Sequence, residues 1–286
     1  MPNPQQHGAH AEIVFAIDDN YVRPAAVAAR SIRAGLRDPA ARPRFHIIDG
    51  GLSAAGRTEV AERVGAHGDV LVHRLTDMVR LPQEMIKHWT SSALGRLYVG
   101  DVLPADVHRA VYLDVDTLVL GDLTELLDVD LGGRTLGASL NEVGGERSWR
   151  LGETAVYSDH GAEAPGYFNS GVLLIDVDRW RADGVTARAV ELYRRYGDQF
   201  RTHDQDVLNI LFSGDWVPFP EKWNKLVEHS VHGRFGNGRL DYLTEPDGLV
   251  HFIGGVKPWH DEFPPNSLRA LYREYQDAEY PRSSAA

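Results

Sequence analysis

The stretch RAVYLDVDTLVL, residues 109–120, joins an apolar strand to a pair of carboxylates. The apolar run from Arg109 to Leu113 predicts a buried strand. If the chain stays extended from Asp114 to Asp116, the two-residue period of a strand places both carboxylates on the same side. Two adjacent carboxylates repel each other unless a cation lies near both, and Mn²⁺ or Mg²⁺ is the natural candidate. Because an Asp-x-Asp triplet is common by chance, an acidic pair without a metal stays open as the alternative.

Strands and helices alternate on both sides of this stretch. Apolar runs predict strands, and apolar repeats at helical spacing predict helices. The predicted strands are Glu12–Ile17, Phe45–Gly51, Val70–Leu75, Arg109–Leu113, Thr135–Leu140, Gly171–Val177 and Leu249–Phe252. The predicted helices are Val22–Leu36, Ser53–Val64 with a serine cap, Ser91–Val102 and a segment that opens at His203. The alternation predicts an α/β fold with a mostly parallel central sheet flanked by helices.

The composition fits one folded domain and excludes several classes of protein. Of the 286 residues, 43% are hydrophobic and 25% are charged, as in soluble globular proteins. The chain has no cysteine, which excludes disulfides, thiolate metal sites and a cysteine nucleophile. A net charge of −11 repels polyanions, so we expect no nucleic acid partner. The first ten residues lack an export signal, and no apolar run approaches the ~20 residues that span a bilayer, so we expect a cytoplasmic protein.

Polar residues follow other predicted strands, at the edge where ligands bind in open α/β sheets. Asp18 and Asn20 follow the first strand, and His251 lies within the short strand near residue 250. A neutral imidazole beside two carboxylates suits Mn²⁺. A strand histidine with an ordinary hydrogen bond is the alternative, since the chain has 13 histidines. Lys257 is one of only four lysines, against 26 arginines, and a compact ammonium on a loop suits a diphosphate.

Two more polar clusters lie between these strands. Asn169 and Gly171 stand at the start of an apolar run, and Asp204 and Gln205 open a predicted helix. Acidic residues in the first turn of a helix are favourable for structural reasons alone. Asp204 and its neighbour Asp206 are therefore candidates for a site and for a helix cap in equal measure.

Five ordered blocks together resemble one known family. They are FAIDDNY from Phe15, YLDVDTLVLGDL from Tyr112, YFNSGVLLIDVDRWR from Tyr167, HDQDVLN from His203 and HFIGGVKPWH from His251. This pattern resembles the retaining nucleotide-sugar glycosyltransferases of family eight, which include bacterial lipooligosaccharide galactosyltransferases and glycogenin. The resemblance implies a GT-A fold, a Rossmann-like nucleotide-diphospho-sugar transferase architecture. It implies a flexible tail at 1–11, a transferase domain at 12–262 with donor and acceptor sites, and a C-terminal helix and tail at 263–286.

The resemblance also implies a UDP-sugar donor and Mn²⁺, with Mg²⁺ as a substitute. By residue-to-residue matching, the metal ligands are Asp114, Asp116 and His251. The residues matched to the nucleotide, the diphosphate and the transferred sugar are Ala16, Asp18, Asn20, Arg96, Asp114, Val115, Asp116, Asn169, Gly171, Asp204, Gln205, Gly254 and Lys257. Among them, Ala16, Asp18 and Asn20 are expected to hold uridine, and Gly254 and Lys257 the diphosphate.

The resemblance assigns catalysis to Gln205 and Asp204. Metal and Lys257 can neutralise the charge left on UDP without a proton donor. Retention requires either a nucleophile on the opposite face of the sugar or attack from the same face. Gln205 matches the opposite-face position of the family, and an amide is a poor nucleophile. We therefore expect front-face attack, with a covalent intermediate on Asp204 as the alternative.

Two other functions compete with this interpretation. The Asp114-x-Asp116 pair before Thr117 also resembles the start of a haloacid-dehalogenase-type Mg²⁺ phosphatase motif, in which the first Asp is the nucleophile. That motif normally opens its domain, and it leaves the other four blocks without a role. A non-catalytic UDP-sugar binding protein would carry the same donor residues.

The sequence leaves the acceptor open. Residues 141–166 and 226–248 match no motif and have no predicted structure, and Trp149, Tyr157, Tyr167 and Trp223 are candidates for stacking on an acceptor. The loop 234–239 is a candidate lid over UDP. Residues 260–286 contain five acids against three bases, so we expect no stable membrane anchoring and a small-molecule or glycan acceptor. The donor is UDP-galactose or UDP-glucose, and the oligomeric state is not predicted.

Overall fold

The computed structural model describes residues 11–75, 94–143, 146–147, 166–228 and 237–281. Its strands are β1 Glu12–Ile17, β2 Arg44–Asp49, β3 Asp69–Arg74, β4 Arg109–Leu113, β5 Thr117–Val119, β6 Leu136–Leu140, β7 Glu142–Val143, β8 Glu146–Arg147, β9 Phe168–Asp176, β10 Val217–Pro218, β11 Lys225–Glu228 and β12 Leu249–Ile253. Seven of them form the central sheet in the order β10-β6-β9-β4-β1-β2-β3, and β11-β12-β5 form a second sheet.

The central sheet is mostly parallel, as the alternation predicts. β1 pairs in parallel with β2 and β4, and β2 pairs in parallel with β3. β9 is the exception, because it runs antiparallel to both β4 and β6. β4 lies near the middle, and its Ala110–Leu113 segment is buried, which explains the apolar run in the sequence.

Helices flank the sheet. They are α1 Val22–Gly35, α2 Ala54–Arg63, α3 Val99–Val102, α4 Thr124–Leu127, α5 Val177–Ala182, α6 Val185–Tyr196, α7 Asp204–Leu211, α8 Asn237–Thr244 and α9 Ser267–Glu279. Ser53 caps α2 by accepting from Gly56 N at 3.0 Å, as its position in the sequence predicts. No helix of the described residues is both long and apolar enough to cross a membrane.

The second sheet has its own hydrophobic cluster. Val227 on β11, Leu118 on β5 and Phe252 on β12 pack with Leu268 and Tyr272 of α9. The phenylalanine contacts the ring of Tyr272 edge-on, with centroids 5.7 Å apart. Because β5 follows β4 directly, this cluster holds β12 beside the acidic triplet at the end of the central strand.

The predicted elements are present with small shifts at their ends. β9 begins at Phe168, three residues before the predicted strand, and the predicted helix from Ser91 is described from Leu94 as a 3-10 turn followed by α3. The stretch 226–248, without a predicted structure, contains most of β11 and all of α8. β11 was difficult to predict because it starts at Lys225, a buried lysine whose Nζ reaches the carbonyl oxygens of Tyr242 and Glu245 at 3.1 and 3.4 Å.

A buried polar row crosses strands β1 to β3. Glu12 Oε2 lies 2.7 Å from His46 Nε2, and His46 Nδ1 lies 2.9 Å from His73 Nε2. Burial, aided by His46, lowers the pKa of His73 to about 4. Burial would raise the pKa of Glu12, but hydrogen bonds from His46 and Arg44 lower it. Both shifts make the folded protein less stable in acid.

The His73 shift predicts a specific loss of stability between the ordinary histidine pKa of 6.5 and the folded value of about 4. Unfolded chains take up this proton first as the pH falls, whereas the folded protein does not. Between about pH 7 and about pH 5, this histidine should contribute a loss of about 2 kcal/mol in the free energy of unfolding. Urea unfolding of wild type and His73→Gln at both pH values measures it.

In this experiment, His73→Gln should lose stability less steeply on acidification than wild type. His108→Gln is the matched control, since His108 is exposed and pairs with Asp178 at the surface. If the free energy of unfolding fell equally steeply with pH in wild type and in His73→Gln, the lowered pKa of His73 would be contradicted.

Candidate active site

Two aspartates and a histidine converge at the carboxyl end of β4. Asp114 and Asp116 lie between β4 and β5, and His251 lies on β12, where it pairs with Thr117 of β5. One ligand atom from each of the three residues lies within 4.8 Å of the others. The chain bends at residues 115–116 rather than staying extended. The two carboxylates nevertheless face the same histidine, because the antiparallel pairing of β5 with β12 places it there.

The absence of a side chain at Gly171 makes this convergence possible. Gly171 lies on β9, and its carbonyl oxygen accepts from Asp114 N at 2.7 Å. A Cβ at this position would lie 2.2 Å from His251 Cε1 and 2.7 Å from Asp114 Oδ2. Only glycine fits here, because the backbone of β9 lies too close to His251 and Asp114 for any side chain. β9 is also paired with a strand on each side, β4 and β6.

Lys257 supplies the positive charge of the cluster. Its Nζ donates to Asp116 Oδ2 and to Phe252 O, both at 2.6 Å. Burial would raise the pKa of Asp116, but the charges of Lys257 and His251 hold the pKa well below its usual range. Lys222 and Lys225 make other contacts, so among the lysines of the described residues only Lys257 reaches this cluster.

The residues fit a divalent cation. Asp116 Oδ1 is buried and makes no hydrogen bond within the described part of the chain, although His251 Nε2 lies 3.2 Å away. Asp114 Oδ2 lies 3.8 Å from the same nitrogen. Two carboxylates and an imidazole are a donor set that Mn²⁺ accepts.

Arg96 joins the cluster of Asp114, Asp116 and His251, which we call the metal cluster, to the helix that starts at Asp204. Its Nη2 donates to Asp114 Oδ1 at 2.7 Å, and its Nε forms an ion pair with Asp204 Oδ2 at 2.9 Å. Its guanidinium carbon also lies 4.8 Å above the ring of Tyr112. Burial would lower the pKa of Arg96, but Asp114 and Asp204 raise it. Arg96 is thus a permanent cation between two carboxylates.

Asp204 and Asp206 separate into two different roles, which their positions in the sequence could not distinguish. Asp206 Oδ2 accepts from the backbone N–H groups of Arg201 and Thr202, at 2.8 and 2.9 Å, so it supports the start of α7. Asp204 instead faces Arg96 and accepts from Ser170 Oγ at 3.1 Å. Burial raises the pKa of Asp204 to about 6, against the opposing charge of Arg96.

Gln205 is held in one orientation by β9. Its Oε1 accepts from Ser170 N at 3.0 Å and from Asn169 Nδ2 at 3.2 Å. The residue before Asp204, His203, has a φ of 44°, a conformation that is uncommon outside glycine. The chain therefore turns sharply where the two candidate catalytic residues begin.

The residues matched to the nucleotide lie at the end of β1. Asp18 Oδ1 accepts from Asn20 N at 2.9 Å, which forms a short turn after the strand. Ala16 is partly exposed at the end of β1, and Asn20 is exposed. Burial raises the pKa of Tyr21. The negative charges of Asp116, Asp18 and Asp114 add to this rise, and the positive charge of Lys257 opposes it.

Two further predicted donor residues can contact a ligand through their backbone but not through a side chain. Gly254 is exposed after β12 with a φ of 79°, a conformation that glycine adopts at no steric cost. Val115 buries its side chain in the main hydrophobic core, so only its backbone faces the site.

The predicted acceptor residues are only partly described. Trp149, Tyr157 and residues 234–236 of the predicted lid lie outside the described residues, and residues 237–239 begin α8. Trp223 is buried in the core. Tyr167 donates to Asp206 Oδ1 at 2.9 Å. Trp223 is therefore a core residue, whereas Tyr167 is partly exposed.

Sequence reasoning missed Asn224 and gave Ser170 no role of its own. Asn224 Oδ1 lies 2.9 Å from His251 Nδ1, and Asn224 Nδ2 donates to Asn169 Oδ1 at 3.0 Å. Ser170 contacts Arg96, Asp204 and Gln205. Ser170 lies within a quoted block and could have been found there, whereas Asn224 lies outside every block.

Comparison with known proteins identifies a common family. The model of "Glycosyl transferase family 8" matches residues 12–262. "General stress protein A" of Bacillus subtilis (strain 168) is 29% identical over 260 residues, with 87% of each chain covered. "Lipopolysaccharide 1,3-galactosyltransferase" of Salmonella typhimurium is 27% identical over 251 residues, covering 87% of this chain and 72% of the relative.

A solved structure shares the whole architecture. The galactosyltransferase LgtC, crystallised in complex with donor and acceptor sugar analogues, matches with a TM-score of 0.73 and 29% identity. The match covers 96% of this chain and 97% of that one. The fold is thus the GT-A fold that the five sequence blocks imply, and the phosphatase alternative receives no support from these matches.

Proposed function

Since the chain belongs to glycosyl transferase family 8 and is a glycosyltransferase, we propose that it transfers a hexose from a UDP-sugar to an acceptor hydroxyl with retention and with Mn²⁺. The observation that carries this proposal is the convergence of Asp114, Asp116 and His251 beside Lys257, at the end of the central sheet. Mg²⁺ is the expected substitute for Mn²⁺. The proposal includes a cytoplasmic location and an enzyme that reaches its acceptor without being stably anchored to a membrane.

The metal cluster and Lys257 suit the departure of a diphosphate. A divalent cation held by Asp114, Asp116 and His251 would neutralise charge on the leaving group. Lys257 is held close to the cluster by its hydrogen bonds to Asp116 and Phe252. We expect its ammonium to bind a phosphate oxygen, and in that case no general acid is required on the leaving group.

The contacts of Gln205 support front-face attack. Its oxygen already accepts from Ser170 N and Asn169 Nδ2, so it would have to break two hydrogen bonds to approach the anomeric carbon. Asp204 is similarly engaged by Arg96 and Ser170. We infer that both residues position the sugar and stabilise its developing positive charge, and a covalent intermediate on Asp204 is the alternative.

The donor is UDP-galactose or UDP-glucose. The Salmonella relative, a lipopolysaccharide 1,3-galactosyltransferase by name, and LgtC, a galactosyltransferase, favour galactose. Calorimetric titration of UDP, UDP-galactose and UDP-glucose into the protein, with Mn²⁺ and again with EDTA, tests both the metal and the sugar. We expect binding only with Mn²⁺. Equal binding in EDTA would overturn the metal dependence, and no binding in either condition would overturn the UDP-sugar donor.

A transferase and a non-catalytic UDP-sugar binding protein differ in turnover. Release of UDP from the preferred donor, on addition of lactose and other glycan acceptors, distinguishes them. Membership of a glycosyltransferase family favours the enzyme. Binding of donor without release of UDP to any acceptor or to water would favour the binding protein.

Asp204→Asn should separate binding of UDP from transfer. Asp204 contacts Arg96 and Ser170 but neither His251 nor Lys257, so UDP affinity should stay close to that of wild type. Transfer should fall by roughly 100-fold, as for loss of one preorganised electrostatic group. Calorimetry with UDP and an assay of UDP release measure the two effects.

Asp206→Asn is the matched control for Asp204→Asn, because Asp206 supports the backbone at the start of α7. It should lower the melting temperature without separating UDP binding from transfer. A large loss of UDP affinity in Asp204→Asn would contradict the proposed position of Asp204 beside the sugar.

A further inference from the structure

Four buried side chains form one hydrogen-bonded row from the metal cluster to Gln205. His251 Nδ1 lies 2.9 Å from Asn224 Oδ1, and Asn224 Nδ2 lies 3.0 Å from Asn169 Oδ1. Asn169 Nδ2 in turn lies 3.2 Å from Gln205 Oε1. All four residues are at most 8% exposed. Since buried polar atoms must find partners within the protein, the direction of each hydrogen bond in this row matters.

Two backbone N–H groups fix the direction of the row, because a backbone N–H can only donate. Gly171 N donates to Asn169 Oδ1 at 3.0 Å. Ser170 N donates to Gln205 Oε1 at 3.0 Å. Turning either amide by 180° would set an NH₂ group against a backbone N–H. Asn169 must therefore present its oxygen to Asn224.

This direction extends to the histidine. Because Asn224 faces the oxygen of Asn169, it must donate to that oxygen from its Nδ2. Its own Oδ1 therefore faces His251 Nδ1. An oxygen acceptor at that position requires the imidazole proton on Nδ1. A neutral ring then carries its lone pair on Nε2, which lies 3.2 Å from Asp116 Oδ1 and 3.8 Å from Asp114 Oδ2.

We propose that Asn224 is a positioning residue for the metal site, and that it keeps the proton of His251 on Nδ1 so that Nε2 is free to bind the cation. The proposal rests on the proposed metal dependence. Asn224 reaches His251 because the turn Glu221–Asn224 leads directly into β11, which pairs with β12. Hydrogen bonds of this kind, from the second nitrogen of a metal-binding histidine, fix the ring and its tautomer.

The tautomer can be measured directly. Long-range ¹H–¹⁵N correlation spectra of ¹⁵N-histidine-labelled protein distinguish a protonated from a bare ring nitrogen, and the spectrum of His251→Gln assigns the signal. At about pH 9, well above an ordinary histidine pKa of ~6.5, wild type should keep the proton on Nδ1, because Asn224 offers an oxygen there. In Asn224→Leu the proton should move to Nε2, which faces Asp116.

Mn²⁺ affinity is the second readout, measured from the electron paramagnetic resonance of free Mn²⁺. Asn224→Leu should bind Mn²⁺ about 10- to 100-fold more weakly than wild type. Asn209→Leu is the matched control. Asn209 is also buried, at 4% exposure, and within the described part of the chain its side chain bonds to the backbone of Phe168 and Gln205, so its loss should lower stability and leave Mn²⁺ affinity intact.

The outcomes separate this proposal from the proposed function. Failure of wild type to bind Mn²⁺ would overturn the metal dependence itself. Asn224→Leu that binds Mn²⁺ as tightly as wild type would overturn the role of Asn224 alone. If Asn224→Leu does not fold, the wild-type spectrum still decides, since a bare Nδ1 on His251 would overturn the proposal.

Discussion

Asp116→Asn should abolish Mn²⁺-dependent binding of UDP. One carboxylate oxygen of Asp116 lies 3.2 Å from His251 Nε2, and the other accepts a hydrogen bond from Lys257 Nζ at 2.6 Å. An amide has no charge to bind a divalent cation or to balance this lysine. Transition-state stabilisation by a metal is worth several kcal/mol, and about 1.4 kcal/mol is a factor of ten. Turnover should therefore fall by at least about 100-fold.

Calorimetry with UDP in Mn²⁺ measures the binding loss, and circular dichroism reports whether the fold is retained. Asp215→Asn is the control, because Asp215 is an exposed partner of Arg134 at the surface. The substitution at Asp215 should leave UDP binding unchanged. Asp116→Asn that bound UDP within a few-fold of wild type, and still required Mn²⁺, would contradict the role of Asp116 as a ligand.

Gly171→Ala should disable the same site by adding one methyl group. The new Cβ would lie 2.2 Å from His251 Cε1 and 2.7 Å from Asp114 Oδ2. β9 cannot easily move away, because it is paired with both β4 and β6. The side chains of His251 and Asp114 must shift instead. A displacement of about 1 Å in a reacting group can reduce the rate by ~100-fold, and overpacking should reduce stability by about 1–3 kcal/mol.

Mn²⁺ affinity and urea unfolding measure the two parts of this effect. Gly137→Ala is the matched control, since Gly137 lies on β6 of the same sheet and its Cβ would meet Leu131 at 3.1 Å and Val217 O at 3.2 Å. It should lower stability and leave Mn²⁺ affinity unchanged. Full Mn²⁺ affinity in Gly171→Ala would contradict the requirement for glycine beside the metal ligands.

Local sequence patterns were enough to identify the class of fold and most of the site. The apolar run before Asp114 was necessarily a buried strand, because both of its faces are hydrophobic. Ser53 was recognisable as a helix cap from its side chain and position. The five blocks carried the candidate metal ligands and every candidate donor residue except Arg96.

Only the tertiary structure decided how those segments meet. The pairing of β5 with β12 brings His251 to Asp116 across almost half of the chain's length, and the turn before β11 adds Asn224 behind it. Arg96, Asp204 and Gln205 acquire their partners in the same way, and only these contacts distinguish Asp204 from the helix-supporting Asp206. The physical reason is that hydrogen bonds and close approach depend on positions in space. Short-range patterns in a sequence determine strands and helices, whereas the register between distant strands determines which side chains touch.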